Sequence, residues 1–249
     1  MSGHSKWAQV KHKKAATDAR RGQLFTKLAR AITVAAREGG GDPDANFTLA
    51  AAIQKARDYS MPKENIQRAI DRGTGEGDAG AAIERTTYEG YGPAGVAVLV
   101  EALTDNRNRT SADVRHIFDK HGGSLGEPGS VAWVFEKRGV VLVDAGRYSE
   151  DDLIGAIDAG AEDVSQDGDS LKVLCAAEDL AAVRAALEGS GVAIESAELT
   201  MEPKSVVEAG AGEAASLMRL MDALDEQADV EAVHANFDIP AEILEQAAA

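Results

Sequence analysis

The order of strand-like and helix-like segments between residues 139 and 199 restricts the possible folds more than any other part of the sequence. Short apolar runs typical of strands alternate there with segments whose apolar residues recur every three or four positions, the period of a helix. In chain order the predicted elements are a strand at 140–143, a helix at 149–157, a strand near Val164, a strand at 171–175, a helix at 179–187 and a strand at 192–199. Ser149 and Asp152 form a capping-box motif at the first helix, and Asp167-Gly168 predicts a turn between the middle strands. This βαββαβ order predicts a ferredoxin-like domain.

Predicted elements on either side of this unit indicate a second domain that the unit interrupts. Before it, apolar runs at 95–103 and 131–135 predict two buried strands, with a helix between them at 111–122. After it come a helix at 213–225 and a strand at 233–239 in which apolar and polar residues alternate. Because the βαββαβ unit has no place for these last two elements, we expect them to complete the earlier set.

Three amphipathic helices joined by short links are predicted at the N-terminus. They lie at 18–38, at 46–59 and from Pro62 to Gly73, where the proline suits the first helical position and the glycine suits a C-terminal cap. Each helix has one apolar face that can pack against the other two. The glycine-rich stretch at 73–81 follows a helix rather than a strand, so we interpret it as a linker and not as a dinucleotide site.

These patterns together predict a multidomain α+β protein with three parts. Residues 1–80 hold a basic tail and a three-helix bundle. Residues 81–137 and 207–249 form a discontinuous α+β domain, and residues 138–206 form the ferredoxin-like domain inserted in it. A chain of 249 residues is long enough for two or three domains.

Positive charge is concentrated at the N-terminus of a chain that is otherwise acidic. The first 37 residues carry a net charge of +8, whereas the whole chain carries −16. Lysine and arginine at this density can bind a phosphate backbone and release its counterions, and tryptophan or histidine can stack on bases. Since the acidic remainder repels polyanions, we expect nucleic acid to bind at this end. A solvated basic tail is the alternative that composition leaves open.

The predicted nucleic-acid contacts follow from this charge pattern. Trp7 can instead pack on the bundle as a hydrophobic staple. Arg107 and Arg109 are predicted just ahead of a helix N-terminus, where an anion can bind, and a solvated loop with Asn and Asp caps explains them equally well. The candidates near the N-terminus are Ser5, Lys6, Trp7, Lys11, His12, Lys13, Lys14, Arg20, Arg21 and Lys27.

Catalytic, metal-binding and membrane signals are weak in this sequence. His116 and His121 are five residues apart and form no His-Glu-x-x-His motif, and Cys175 lies in an apolar strand pattern where burial is expected. We therefore predict no enzyme activity, no metal and no cofactor. A single cysteine and the lack of a long apolar run favour a cytoplasmic protein that binds no membrane. The sequence leaves the oligomeric state open, and a monomer is the simplest expectation.

Four long motifs dominate the first 139 residues. They are GHSKWAQVKHKKAATDARRGQLFTKL, MPKENIQRAIDRG, YEGYGPAGVAVLVEALTDNRNRTSADVRHIFDKHGGSLG and GSVAWVFEKRG. These motifs resemble the YebC/PmpR family, which residues 140–249 match chiefly in the order of their elements. The resemblance implies a helical bundle followed by two α+β domains, the last inserted within the middle one. It also implies a second contact region at Lys63, a residue that is otherwise expected to be a solvated helix start.

The resemblance implies two different functions. Family members are generally described as DNA-binding transcriptional regulators, so transcription regulation is the first expectation. A mitochondrial branch resembles translational activators of cytochrome c oxidase I, and some bacterial relatives are described as ribosome-associated factors that relieve stalling. In that case ribosomal RNA and the ribosome would be the partners. The sequence has no helix-turn-helix signal or RNA-binding aromatic motif that would decide between DNA and RNA. A protein-interaction module is the third alternative.

Overall fold

The computed structural model describes residues 18–75, 83–239 and 243, and these residues confirm the predicted α+β class. The helices are α1 (Asp18–Gly39), α2 (Phe47–Asp58), α3 (Lys63–Thr74), α4 (Arg107–Lys120), α5 (Gly155–Asp158), α6 (Leu180–Gly189) and α7 (Ala211–Glu226). The strands are β1 (Glu84–Tyr91), β2 (Ala97–Thr104), β3 (Ser124–Leu125), β4 (Phe135–Asp144), β5 (Ala161–Asp167), β6 (Ser170–Ala176), β7 (Ile194–Pro203), β8 (Val207–Glu208), β9 (Val230–Ala235) and β10 (Phe237–Asp238). None of the helices in the described residues is long and apolar enough to cross a membrane.

Helices α1, α2 and α3 pack around one apolar core. Its members are Leu28, Ile32, Ala35, Ala36, Leu49, Ile53, Ala56, Met61, Ile66 and Ala69. Asn46 links two of the helices, because its Oδ1 accepts the Leu49 N–H at 3.1 Å and its Nδ2 donates to the Ala35 carbonyl at 2.9 Å. An asparagine side chain in this position both caps α2 and fixes it against α1.

The predicted ends of α3 need two corrections. Pro62 is the N-cap rather than the first helical residue, and the C-cap is Gly75, with φ +85°, rather than Gly73. Gly73 lies inside the helix because a Cβ at this position would lie only 2.5 Å from the Thr33 carbonyl oxygen of α1. The glycine therefore allows a close approach of two helices and does not end one of them.

A four-stranded antiparallel sheet in the order β3-β1-β2-β9 forms the middle of the molecule. Helices α4 and α7 cover one of its faces and share a buried core with it, in which Phe118, Leu217 and Leu220 are fully buried. Strand β9 pairs with β2, so the last helix and strands of the described chain join elements more than a hundred residues earlier. Strands β8 and β10 form a separate, short parallel pair, and β10 follows β9 directly in the chain.

Two polar residues of the alternating segment at 233–239, His234 and Asn236, are buried as well as the apolar ones, whereas Asp238 is half-buried. His234 is 4% exposed and lies 3.1 Å from a Glu101 carboxylate oxygen. Asn236 is also 4% exposed, and its Oδ1 accepts the Ala97 N–H at 2.7 Å. One face of the segment therefore packs in the apolar core, and the other face is also inside the protein, where its polar side chains have hydrogen-bond partners. This agrees with the rule that buried polar groups are hydrogen-bonded.

The predicted strand at 131–135 is wrong for most of its length. Ala132–Val134 form a 3-10 turn, and β4 begins only at Phe135. A turn of three residues places Val131 and Val134 on the same side, where both are buried against Ala97 and Leu99. Trp133 then points outward and is 68% exposed. A strand would instead have placed Trp133 on the same side as Val131 and Phe135.

A second antiparallel sheet has the strand order β5-β6-β4-β7. Helices α5 and α6 contribute to its core, which includes Val141, Leu153, Val173 and Leu187. The predicted capping box at Ser149 and Asp152 is confirmed, although the helix that it starts divides into a 3-10 turn and the short α5. The N-terminal half of β4 pairs with the end of β7, from Phe135 opposite Pro203 onward.

Candidate nucleic-acid interface

Most of the predicted N-terminal contacts lie outside the described residues. This is the case for Ser5, Lys6, Trp7, Lys11, His12, Lys13 and Lys14. The backbone of Arg20 and Arg21 lies in the first turn of α1, which begins at Asp18. The basic segment therefore leads directly into the helical bundle, and its role as a contact surface stays a prediction.

Lys27 and Arg30 of α1 bind the C-terminal end of α7. Lys27 Nζ donates to the Asp225 carbonyl oxygen. The Arg30 guanidinium donates to the Ala228 carbonyl at 2.9 Å and to Asp229 Oδ1 at 3.1 Å. The last carbonyl groups of a helix carry partial negative charge, so cations stabilise this position. Both side chains therefore hold the bundle against the middle sheet.

Asp229 is the centre of this contact. It is 5% exposed, and its Oδ2 accepts hydrogen bonds from Arg109 and Thr110, each at 2.8 Å. Burial opposes its ionisation, but the hydrogen bonds from Arg109 and Thr110 and the charges of Arg109 and Arg30 outweigh burial and hold the pKa of Asp229 below its ordinary value. Asp229 is thus ionised at neutral pH and joins α1, α4 and β9.

Arg107 and Arg109 lie within the first turn of α4 and not ahead of it. Asn106 is the N-cap, and its Oδ1 accepts the Arg109 N–H at 3.1 Å. Arg109 also pairs with Asp105 at 2.9 Å. The capping explanation of this segment therefore agrees with the geometry, and the Arg109 guanidinium already has two carboxylate partners. Arg107 is exposed, and its Nη2 lies 3.4 Å from Thr86 Oγ1.

Lys63 is the first residue of α3 and is exposed. Among the described residues it has neither an ion pair nor a side-chain hydrogen bond, and Arg68 and Arg72 of the same helix are exposed as well. Glu64 and Asp71 lie on the same helix, so this surface carries mixed charge. The geometry leaves Lys63 free to reach a phosphate without assigning it that role.

The outer face of α4 is a polar surface that the sequence analysis did not single out. Asn108, Ser111, Ala112, Arg115 and His116 border a shallow depression of about 400 Å³ together with Asp119. Within the described part of the chain, Arg115 and His116 have no ion pair or hydrogen bond. The signal was present in the sequence, because these polar residues recur at helical spacing on the side opposite Val114 and Phe118.

A small, half-open cavity of about 120 Å³ lies where the bundle meets the two sheets. Lys55 pairs there with Glu198 at 2.6 Å, and Arg85 pairs with Glu231 at 3.0 Å. Burial opposes the charge of Lys55, but the Glu198 carboxylate outweighs burial and raises the pKa of Lys55 above its ordinary value. Since these cations are matched by carboxylates, the cavity is a charged contact between parts of the protein and not a surface for polyanions.

Cys175 has the surroundings of a structural residue. It is fully buried, as the sequence predicted, and burial together with the nearby Asp179 and Glu162 raises the pKa of its thiol to about 11. The thiol is therefore protonated at neutral pH and is a poor nucleophile. Within the described residues no group of three His, Cys, Asp or Glu side chains is arranged to hold a metal ion.

Comparison with known proteins gives consistent matches over nearly the whole chain. Residues 5–76 match the family described as "TACO1/YebC protein N-terminal domain", and residues 83–237 match "TACO1/YebC second and third domain". A "Probable transcriptional regulatory protein" of Rubrobacter xylanophilus is 57% identical and covers 100% of both chains. A protein of the same description from Desulfotalea psychrophila is 52% identical, again over 100% of both chains.

A solved structure is similar in fold as well as in sequence. The crystal structure of a conserved hypothetical protein from Aquifex aeolicus superimposes with a TM-score of 0.84 at 48% identity, and the match covers 96% of this chain and 99% of that one. The resemblance found in the sequence motifs is therefore confirmed over the full length. The chain belongs to the TACO1/YebC family.

Proposed function

We propose that this protein is a nucleic-acid-binding regulator of gene expression whose basic N-terminal segment contacts phosphates. The name shared by the relatives at 57% and 52% identity, "Probable transcriptional regulatory protein", supports a regulatory role and makes DNA the first target to test. A binding role without catalysis or cofactor also suits the inert surroundings of Cys175.

The observation that carries this proposal is the reversal of charge along the chain. A net charge of +8 in the first 37 residues stands against −16 for the whole protein. A polyanion is attracted to such an end and repelled by the remainder, so it binds in one orientation. Among the described residues, Arg109 and Arg30 are bound to Asp229 and Lys55 is bound to Glu198, so these cations already have carboxylate partners within the fold. This supports the early segment, where positive charge is densest, as the contact with the polyanion.

The outer face of α4 is a second candidate contact. Arg115, His116 and Asn108 project from one helix face, and arginine and asparagine are the side chains that most often bind phosphates and base edges. Asp113 and Asp119 on the same helix limit its net charge, so we assign it a supporting role.

We also infer the domain division expected from the sequence, with boundaries at 1–80, 81–137 with 207–249, and 138–206. Pairing of β9 with β2 and the shared core of α4 and α7 support a discontinuous middle domain. The order β5-β6-β4-β7 with α5 and α6 in one core supports a ferredoxin-like insertion. The proposed function does not depend on these boundaries.

Replacing Lys11, Lys13 and Lys14 together with alanine is expected to weaken binding to a similar extent for every sequence tested. The plot of log affinity against log salt concentration should become shallower by roughly three units, since each lost phosphate contact releases about one counterion fewer. Fluorescence anisotropy of a labelled DNA duplex, and of an RNA strand for comparison, measures both quantities. Adding Arg115→Ala should reduce the slope by about one further unit if α4 also contacts phosphate.

A control variant with the same net charge separates local contacts from the overall field of the protein. Ala181, Ala182 and Ala185 are exposed on α6, and changing all three to glutamate removes as much net charge as the lysine substitutions do. This variant should keep the wild-type slope. An unchanged slope in the triple lysine variant would exclude these residues from the interface, and equal losses in both variants would show a general charge effect instead.

A further inference from the structure

Trp133 is exposed to an extent that is unusual for tryptophan. It is 68% exposed, although the residues beside it in the chain, Ala132 and Val134, are half-buried and buried. The indole is nonetheless held in place, because its Nε1–H donates at 3.0 Å to the carbonyl oxygen of Ser130, which lies just before the 3-10 turn. The apolar ring is therefore presented to solvent in a defined orientation.

The Tyr91 side chain forms a hydrogen bond with the same carbonyl group. Its hydroxyl donates to the Ser130 oxygen at 2.9 Å, and the side chain is 39% exposed. The polar ends of both aromatic side chains thus meet at one acceptor, which makes the two rings neighbours on the surface. Since each polar end is already satisfied inside the protein, the outward parts of the rings offer only their faces and edges to a ligand.

The loop that carries Ser130 and Trp133 is fixed by a buried carboxylate. Glu89 is 6% exposed and accepts the N–H groups of Gly129, Val131 and Ala132 at 2.6, 2.7 and 2.7 Å. A carboxylate that accepts hydrogen bonds from several backbone N–H groups holds them strongly, because charge-assisted hydrogen bonds are stronger than neutral ones. The aromatic pair is therefore rigid before any ligand arrives, which reduces the entropy lost on binding.

The charge around the pair is nearly balanced. Lys204 is exposed and lies next to the turn, since its N–H donates to the Val134 carbonyl at 2.8 Å, and no described residue forms an ion pair with it. Glu127 is exposed in the loop itself. A ligand bound here would gain mainly from ring contact, with one cation available to a nearby phosphate.

We propose that Trp133 and Tyr91 form a stacking platform for an unpaired base of the bound nucleic acid. This inference rests on the proposed function and specifies that the bound nucleic acid is single-stranded at this site. A base inside a duplex cannot expose its face to a side chain. A protein partner is less suited to the site, since a protein interface needs a broader apolar centre than two partly exposed aromatic rings provide.

Fluorescence gives a direct test in the full-length chain. The sequence contains two tryptophans, so a Trp7→Phe variant leaves Trp133 as the only tryptophan, whose emission can be excited selectively. An unstructured oligo(dT) or oligo(U) strand should quench its emission, and a duplex of equal length should quench it much less. The variant Trp133→Ala should bind the strand about tenfold more weakly while keeping the wild-type salt slope, because stacking releases no counterions. Trp133→Phe should retain most of the affinity.

The controls distinguish this inference from the proposed function. Phe47 is 52% exposed and distant in sequence, and Phe47→Ala should bind like the wild type. Two results together would overturn the platform and leave the proposed function intact. They are normal binding of the strand by Trp133→Ala, and unquenched emission of Trp133 when the strand binds the Trp7→Phe variant. If the full chain binds no strand or duplex even at low salt, both fall. If a proline-rich peptide quenches Trp133 and the strand does not, the site belongs to a protein ligand and the inference is wrong.

Discussion

Replacing Glu89 with alanine is expected to lower the free energy of unfolding by about 4 kcal/mol, since three backbone N–H groups lose a charged acceptor in a buried site. These groups belong to Gly129, Val131 and Ala132. The Gly126 N–H donates to the backbone carbonyl of Glu89, and the substitution keeps this bond. The loop should loosen with the loss of this anchor. Urea unfolding measures the stability, and the anisotropy of Trp133 emission in a Trp7→Phe background measures the order of the loop.

Glu89→Gln is expected to lower the free energy of unfolding by about half as much. The remaining oxygen still accepts a hydrogen bond, whereas the new NH₂ group faces a backbone N–H donor.

Burial opposes the ionisation of Glu89, but the three N–H donors outweigh burial and lower the pKa of its carboxyl below the ordinary value of 4.5. The stability that this group contributes is therefore complete above pH 4.5 and is lost as the pH falls below it toward the lower folded pKa. Wild type and Glu89→Gln should accordingly converge in stability in acid. Glu84→Gln, exposed on the same strand, is the matched control and should change little; an equal loss there would refute the anchoring role.

Replacing Asp229 with alanine is expected to lower the free energy of unfolding by about 3 kcal/mol. The change removes the acceptor shared by Arg30, Arg109 and Thr110, and Thr110 is itself fully buried. The two arginines are partly exposed and can turn to water, which keeps the loss below that of a fully buried ion pair. Urea unfolding measures the total, and amide hydrogen exchange along α1 should show faster opening where the helix contacts α7.

An acidic residue on the surface provides the comparison for Asp229. Asp119→Ala removes the same charge from the exposed side of α4 and should change the stability by less than about 0.5 kcal/mol. If Asp229→Ala proved as mild as Asp119→Ala, the contact between α1 and β9 would contribute little, and Arg30 and Arg109 would have to be reconsidered as free cations.

Hydrophobic periodicity predicted the elements well where a single face is buried. Strand β2, helices α2 and α6 and the capping box at Ser149 lie close to their expected positions. The segment at 131–135 failed because its conformation depends on contacts with Ala97 and Leu99, which a local pattern cannot reveal. The prediction that Gly73 caps the end of α3 failed for a similar reason, since a glycine is required there by the close approach of the α1 backbone.

The candidate interface shows the same division between local and distant information. The sequence reveals the sign and density of charge, but not which cations find carboxylates in the fold. Arg109 meets Asp229 across 120 residues and Lys55 meets Glu198 across 143, so neither pairing could be read from spacing. Trp133 and Tyr91 are likewise 42 positions apart in the sequence and meet only at the Ser130 carbonyl.

The central claim is that the cationic N-terminal segment holds the nucleic acid. A chain that lacks residues 1–17 retains every described helix and strand, since α1 begins at Asp18. Its affinity for DNA or RNA at low salt should fall by about 100-fold, through the loss of four lysines, while its circular dichroism and urea midpoint stay those of the full chain. If the shortened protein binds either nucleic acid as tightly as the intact one, the claim is wrong.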